Sequence, residues 1–238
     1  KVAFGLGPND KVPSDPLSWA QAQLDKSPQI DLLGAPSLAD QLKIFGDSRL
    51  AEENLVDGFT GTAIEFEEKR NEIYNKHGLD FYHPLELQIR HKAAITGQQP
   101  VFERFLHFWT NHFAIINPDE LRPYVIGPYY REIIRENLTG SFNQLVKRAT
   151  TGYAMIRSLD NGLSIGPNSS YVRKEKFGGY YDGNAALNEN HARELMELHT
   201  ISPAAGYTQN DVIELSKVMS GWKEKKRWRK IREPKPDM

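Results

Sequence analysis

The stretch of sequence that decides the fold class is residues 100–115, PVFERFLHFWTNHFAI. Pro100 suits the first turn of an α-helix, because its missing N–H would have no intrahelical partner there. His112 follows Phe108 and Trp109 by four and three residues, so the three rings share one helix face. The stretch therefore predicts an aromatic α-helix that ends near residues 117–118 and carries an imidazole on its apolar side.

Similar helical patterns fill most of the remaining chain. The first predicted helix begins at Asp15-Pro16. The other predicted helices cover residues 37–45, 63–76, 84–97, 124–137, 141–150, 152–159, 188–200 and 209–222. Thr208 and Asp211 form a capping box at the start of the last one. No strand alternation and no internal repeat is present. We expect an all-α fold, an irregular multi-helix orthogonal bundle with a long Asn/Gly-rich loop over 160–188. We assign residues 1–222 to a single α-helical domain and 223–238 to a basic C-terminal segment.

Composition and charge exclude several function classes. The chain has no cysteine, which removes disulfides, thiolate metal sites and a cysteine nucleophile. Its 30 basic and 31 acidic residues nearly cancel, so there is no global field for nucleic acid or anionic lipid. No apolar run approaches the roughly 20 residues that span a bilayer. The N-terminus does not read as a signal segment and starts abruptly, as a processed or trimmed chain would.

His112 has two interpretations. As a core histidine, it would donate its ring N–H to a backbone carbonyl, since buried polar groups find partners. As a functional residue, it would serve as a ligand or a general base. His107 shares its face with Glu103 and Asn111 instead, and we expect it to be the more hydrated imidazole.

The helix NENHARELMELHT, residues 188–200, carries a row of polar residues beside an apolar stripe of Leu195 and Leu198, which we expect to be buried. Asn190, Glu194 and Glu197 follow one another at helical spacing, and His199 lies one turn beyond Leu195. Two carboxylates one turn apart repel unless a proton or a cation lies between them. The alternative is a pair of surface ion pairs that join Arg193 to the carboxylates four residues before and after it.

A divalent metal is one hypothesis for this helix, held by His112, Glu194, Glu197 and His199. The motif HExxH is absent, and Glu197 and His199 are two residues apart, which points them to different sides of a continuous helix. His191 and Glu194 are three apart and form a further candidate chelate.

In the long loop, the glycines match no phosphate-binding pattern and the serines match no nucleophile elbow. We interpret that segment as turns.

Six motifs resemble a bacterial domain-of-unknown-function family, the one numbered eighteen hundred. They are AFGLGPND (3–10), DPLSWAQAQL (15–24), FERFLHFWTNHF (102–113), SLDNGLSIGPNSS (158–170) and NENHARELMELHT with GYTQNDVIELSKVMSGW (188–222). The family pattern includes Trp109, Asn111, His112, Asp160, Asn161, Asn188, Glu189, Asn190, Arg193, Glu194, Glu197 and His199. Of these, the candidate ligand-binding residues are Asn111, Asp160, Asn161, Asn188, Asn190 and Arg193.

The resemblance implies an α-helical, often exported protein, hence a periplasmic or extracellular location, and frequently a co-encoded exported partner. It implies no activity. The chain departs from the family at His191, where the pattern has an apolar or aromatic residue, and in the segment TISPAAG, residues 200–206. It also stops soon after Trp222, where relatives continue, so we expect a fragment of a longer protein.

Three functions follow as hypotheses. The first is a cell-envelope or exported binding and assembly module that uses the loop 160–188 as its surface. The second is a metal-dependent hydrolase with Glu194 and His112 as catalytic residues and the loop as lid. The third is nucleic-acid binding by the basic tail around Trp222 and Trp228. We expect that tail to be a solvated chain end and nucleic acid not to be the partner.

Overall fold

The structure, a computed structural model, describes residues 13–25, 27–116, 122–169 and 187–223. In these ranges all regular structure is helical and there is no strand, which confirms the all-α prediction. The α-helices are α1 Pro16–Ala22, α2 Leu38–Gly58, α3 Ala63–Lys76, α4 Leu79–Thr96, α5 Pro100–His112, α6 Arg122–Pro128, α7 Phe142–Thr150, α8 Tyr153–Ser158, α9 Asn190–Glu194 and α10 Gln209–Met219. Two continue as π-helix, α6 through Tyr129–Arg135 and α9 through Leu195–Thr200, and short 3-10 turns lie at Asn161–Leu163 and Pro203–Ala205.

Side-chain caps fix where several helices begin. The Asp15 carboxylate accepts hydrogen bonds from the backbone N–H groups of Leu17 and Ser18 at the start of α1. The predicted capping box of Thr208 and Asp211 is present at the start of α10, and a second box opens α3. These bonds satisfy N–H groups that have no partner inside the helix.

Two helices are longer than the sequence pattern predicts. The helix predicted to begin at Pro84 begins at Leu79 and contains Pro84 in its interior. The turn before the proline is retained because Tyr82 packs on the Tyr124 ring with centroids 5.7 Å apart, which offsets the missing hydrogen bond. The helix predicted over 37–45 continues to Gly58 as α2, with Ser48 buried inside it.

The main core lies among α2, α5, α6 with its π-helical continuation, α7 and α8. Its fully buried rings are Phe102, Phe113, Tyr124 and Tyr129. A smaller cluster of Ala192, Val212 and Met219 joins α9 to α10. These two clusters hold together the elements that carry the candidate site.

Two ion pairs are buried beside the main core. Arg131 Nη2 lies 3.0 Å from Glu86 Oε1, and Arg135 Nη2 lies 2.5 Å from Glu103 Oε1. All four side chains are largely buried. Gln41 supports the first pair, because its Nε2 donates to Glu86 Oε1 over 3.1 Å. Each buried charge is therefore paired, as a low-dielectric interior requires.

Several predicted segments lie outside the described residues. They include most of the Asn/Gly-rich loop, residues 170–186, and residues 224–238 of the basic segment with Trp228. The single-domain division and the orthogonal packing remain predictions. Within the described part of the chain, no helix has both the length and the apolar character needed to cross a membrane.

Candidate functional site

The C-terminal end of α5 meets the π-helical segment Leu195–Thr200, and His112 makes the contact. Its Nε2 lies 3.0 Å from the backbone oxygen of His199. Because a carbonyl only accepts, this nitrogen carries the hydrogen and donates it. The prediction that a ring N–H of His112 meets a backbone carbonyl is thus confirmed. On the other side, the ring stacks against Phe108 and meets Trp109 edge to face.

His199 lies under His112 and is 5% exposed. The two imidazole centroids are 5.8 Å apart, and the centroid of the Phe113 ring is 5.2 Å from that of His199. Its Nδ1 has no hydrogen-bond partner among the described residues. Burial, and secondarily the charge of His112, lower the pKa of His199 to about 4, against an opposing effect of the His112 backbone.

His191 on α9 is a second buried imidazole. Neither of its ring nitrogens has a hydrogen-bond partner in the described part of the chain, and the candidate chelate with Glu194 stays a hypothesis. Burial, then the charge of His199, lower the pKa of His191 to about 4, while the backbone of Thr150 acts in the opposite direction. Both histidines are therefore neutral at physiological pH, and His191 fills a position where the family resemblance implies an apolar residue.

The π-helical turn decides which side chains of this segment face inward. The sequence pattern predicts Leu195 and Leu198 as the buried stripe, but Leu198 is 59% exposed. Leu195 is half-buried against the cluster that joins α9 to α10, so the prediction is wrong for Leu198 only. The segment makes i→i+5 hydrogen bonds, which widen the turn and turn Leu198 outward. His199 takes the inward position instead.

The predicted polar row on α9 is only partly buried. Glu194 and Glu197 are half-buried, and Asn190 is exposed. Arg193 Nη2 contacts Glu189 Oε2 at 3.0 Å and Gln209 Oε1 at 2.8 Å. The ion pair to Glu189 confirms one of the two expected surface pairs, and the second bond of Arg193 goes to α10 rather than to Glu197.

The candidate metal ligands are only partly brought together. His112 and His199 are neighbours, as the packing of the two helices predicts. Across the ranges that the structure describes, no three His, Asp or Glu side chains form a group suited to a metal ion. The set of His112, His199, Glu194 and Glu197 therefore stays a hypothesis.

Asn161 ties the end of α10 to α8. It is 1% exposed, and its Nδ2 donates to the carbonyls of Met219 and Trp222 at 3.1 and 3.0 Å. The Met219 carbonyl is one that a helix end leaves without an intrahelical partner, and the Trp222 carbonyl lies three residues beyond α10. This candidate ligand-binding residue is thus engaged in holding the fold.

Asn188 closes the other end of the long loop. Its Nδ2 donates to the backbone oxygen of Asp160 at 3.0 Å, and its Oδ1 accepts the N–H of Asn190 at 2.9 Å. Its backbone N–H donates to Ser164. Asp160 adopts the left-handed backbone conformation at φ 53°, which an aspartate tolerates better than most residues.

Asn111, another candidate ligand-binding residue, is exposed on α5.

A surface of exposed aromatic rings adjoins these histidines. We call it the aromatic face, and it consists of Phe105, Phe108, Trp109 and Phe142. The Trp109 ring centroid lies 6.0 Å from that of Phe105, 5.1 Å from that of Phe108 and 5.5 Å from that of Phe142. The three phenylalanine side chains are 39%, 57% and 47% exposed in the same order. Sequence reasoning missed Phe142, because it comes from α7. The available signal was a phenylalanine in the first turn of an otherwise polar helix start.

Comparison with known proteins gives one match. A family model described as "Protein of unknown function (DUF1800)" matches residues 3–236, nearly the whole chain. No curated protein and no solved structure matches the chain.

Proposed function

The chain belongs to the DUF1800 family, and we propose that it is a binding module whose aromatic face docks an apolar helix of a partner protein. The observation that carries this proposal is the cluster of three exposed phenylalanines around Trp109. Isolated exposed apolar residues are normal, but contiguous exposed apolar patches mark interaction sites.

The size of the aromatic face supports docking. Taking about 200 Å² for each ring, the exposed parts of Phe105, Phe108 and Phe142 amount to roughly 300 Å². At about 25 cal/mol per Å², covering this area contributes about 7 kcal/mol before the entropic cost of association. That is enough to anchor a partner if the rest of the interface offsets the cost.

The shape of the aromatic face favours a helix as the partner element. Phe105, Phe108 and His112 lie three and four residues apart, so they form one ridge along α5. Such a ridge fits the groove between side-chain rows of a second helix. The ridge is also rigid, because Trp109 stacks on buried Phe113 and His112 is fixed by the His199 carbonyl.

The partner that we propose is the co-encoded exported protein, in the periplasm or outside the cell. This part of the proposal rests on the family resemblance alone. The loop 160–188 stays a proposed extension of the binding surface.

Site-specific photo-crosslinking in the native host tests the proposal. Phe108→p-benzoylphenylalanine should crosslink one partner, whereas the same change at Ile64, exposed on α3, should not. With that partner purified, Phe108→Ala should weaken binding at least tenfold, and Ile64→Ala should leave it unchanged. Equal crosslinking from both positions, or unchanged affinity of the Phe108 variant, would refute the module. A crosslink to a second copy of the chain would show that the aromatic face mediates self-association and does not bind a different protein.

Hydrolysis is a second candidate function, favoured by the proximity of His112 and His199. In this hypothesis Glu194 and His112 act as general base and acid, or the group holds a divalent metal that activates water. Elemental analysis of the purified full-length protein tests it. Stoichiometric metal that is lost in His199→Ala would support it, and activity and metal content unchanged by Glu194→Ala would exclude it.

A further inference from the structure

A small cavity lies between α4, α5 and α6, independent of the aromatic face. Its volume is ≈ 60 Å³. Its apolar wall consists of Ile30, Leu87, Ile89, Ala93, Leu106 and Ile126. The volume is far below the roughly 300 Å³ of a pocket for a drug-sized ligand. The cavity therefore suits a molecule of few heavy atoms with an apolar part.

Three arginines also line this cavity, and among the described residues one of them has no carboxylate partner. Arg131 and Arg135 are paired with Glu86 and Glu103. Arg90 has no carboxylate partner among the described residues. Arg131 also contacts Glu132 Oε1 over 3.2 Å, so two of the three carboxylates lie on Arg131, one lies on Arg135 and none lies on Arg90.

Arg90 is held in place by neutral groups. Its Nη2 donates to His107 Nδ1 at 3.1 Å and to Thr110 Oγ1 at 3.0 Å. Its guanidinium also lies over the Tyr130 ring, 5.1 Å from the centroid. These contacts orient the guanidinium at low entropic cost but supply no counterion from the residues that the structure describes.

Arg135 supplies a second, independent indication of a ligand. The residue is 5% exposed, and both of its short bonds to Glu103 come from Nη2. Its Nη1 is buried and has no hydrogen-bond partner in the described part of the chain. An unpartnered buried donor on a charged group is costly, and an anion in the cavity would satisfy it.

We propose that this cavity binds a small aliphatic monocarboxylate. Its carboxylate accepts from Arg90 and Arg135, and its short carbon chain lies on the apolar wall around Ala93. A guanidinium fork matches the planar carboxylate, whose one negative charge would lie beside the unpaired charge of Arg90. The apolar wall disfavours inorganic phosphate, which would leave its remaining oxygens without donors.

Isothermal titration of the full-length protein with sodium propionate tests this site at constant ionic strength. We expect one propionate to bind per chain, and inorganic phosphate and chloride to bind at least tenfold more weakly. Arg90→Gln breaks no ion pair and should weaken propionate binding at least tenfold, which corresponds to about 1.4 kcal/mol. Ala93→Leu fills the cavity without changing the charge and should have a similar effect.

Arg104→Gln is the matched control, since Arg104 is exposed on α5 and does not line the cavity. It should bind propionate within about twofold of the unmodified chain. Absence of one-to-one binding, or equal binding by the Arg90 variant, overturns the proposal. Phosphate binding as tight as propionate overturns the carboxylate assignment. None of these outcomes bears on the aromatic face.

Discussion

Replacing His191 with phenylalanine should remove a large part of the protein's sensitivity to acid. Burial lowers the pKa of His191 from its ordinary value of 6.5 to about 4. The unfolded chain therefore binds a proton more readily than the folded one. Above about pH 6.5 both states are neutral at this ring and it contributes no pH dependence. Between 6.5 and 4 the folded state loses stability as the pH falls.

The magnitude follows from the two pKa values of His191. At pH 5, protonation favours the unfolded state by a factor of about 30, which is about 2 kcal/mol for this residue. The pKa of His199 is also lowered to about 4, so protonation of this ring destabilises the folded state by a similar amount. We expect the chain to lose about 4 kcal/mol between pH 8 and pH 5 from these two rings. The His191→Phe variant should lose only about half of that.

Urea unfolding followed by tryptophan fluorescence at the two pH values measures this difference. His91→Phe is the control, because His91 is exposed on α4. It should show the full loss of stability in acid. If His191→Phe loses as much stability as the unmodified chain, the reasoning from burial to acid sensitivity is wrong.

Three further changes test the packing around the site. Asn161→Ala removes two hydrogen bonds to backbone carbonyls and should lower the free energy of unfolding by about 2 kcal/mol, measured by urea titration at pH 8. Gly127→Ala places a Cβ 2.1 Å from Glu86 Cγ and should cost about 1–3 kcal/mol, visible as a lower Tm. Arg135→Leu leaves Glu103 buried without its cation and should cost about 3–5 kcal/mol, whereas adding Glu103→Leu should restore most of it; a double-mutant cycle that finds the two changes additive would contradict this.

Local signals in the sequence were sufficient to predict most of the helices. Residues 63–76 form the exposed helix that their charged pattern predicts, and Thr208 and Asp211 cap α10 as expected. Such features depend on neighbours three or four residues away, which the sequence displays directly. Pro84 shows where this fails, since a contact with distant Tyr124 retains the turn before it.

The candidate site was less predictable because it depends on long-range packing. The sequence placed His112 on the same face as Phe108 and Trp109, and the structure agrees. No local pattern indicates that the His199 carbonyl receives its N–H or that Phe142 completes the aromatic face. The buried pairs of Arg131 and Arg135 likewise join residues more than thirty positions apart.

The π-helical segment Leu195–Thr200 has a consequence for comparing this chain with its relatives. Each i→i+5 hydrogen bond encloses one more residue than an α-helical bond does. A relative whose helix is α-helical throughout would cover the same path with one residue fewer. In an alignment with such a relative, a gap of one position would belong inside this segment, and an ungapped alignment would pair His199 with a residue that points to solvent.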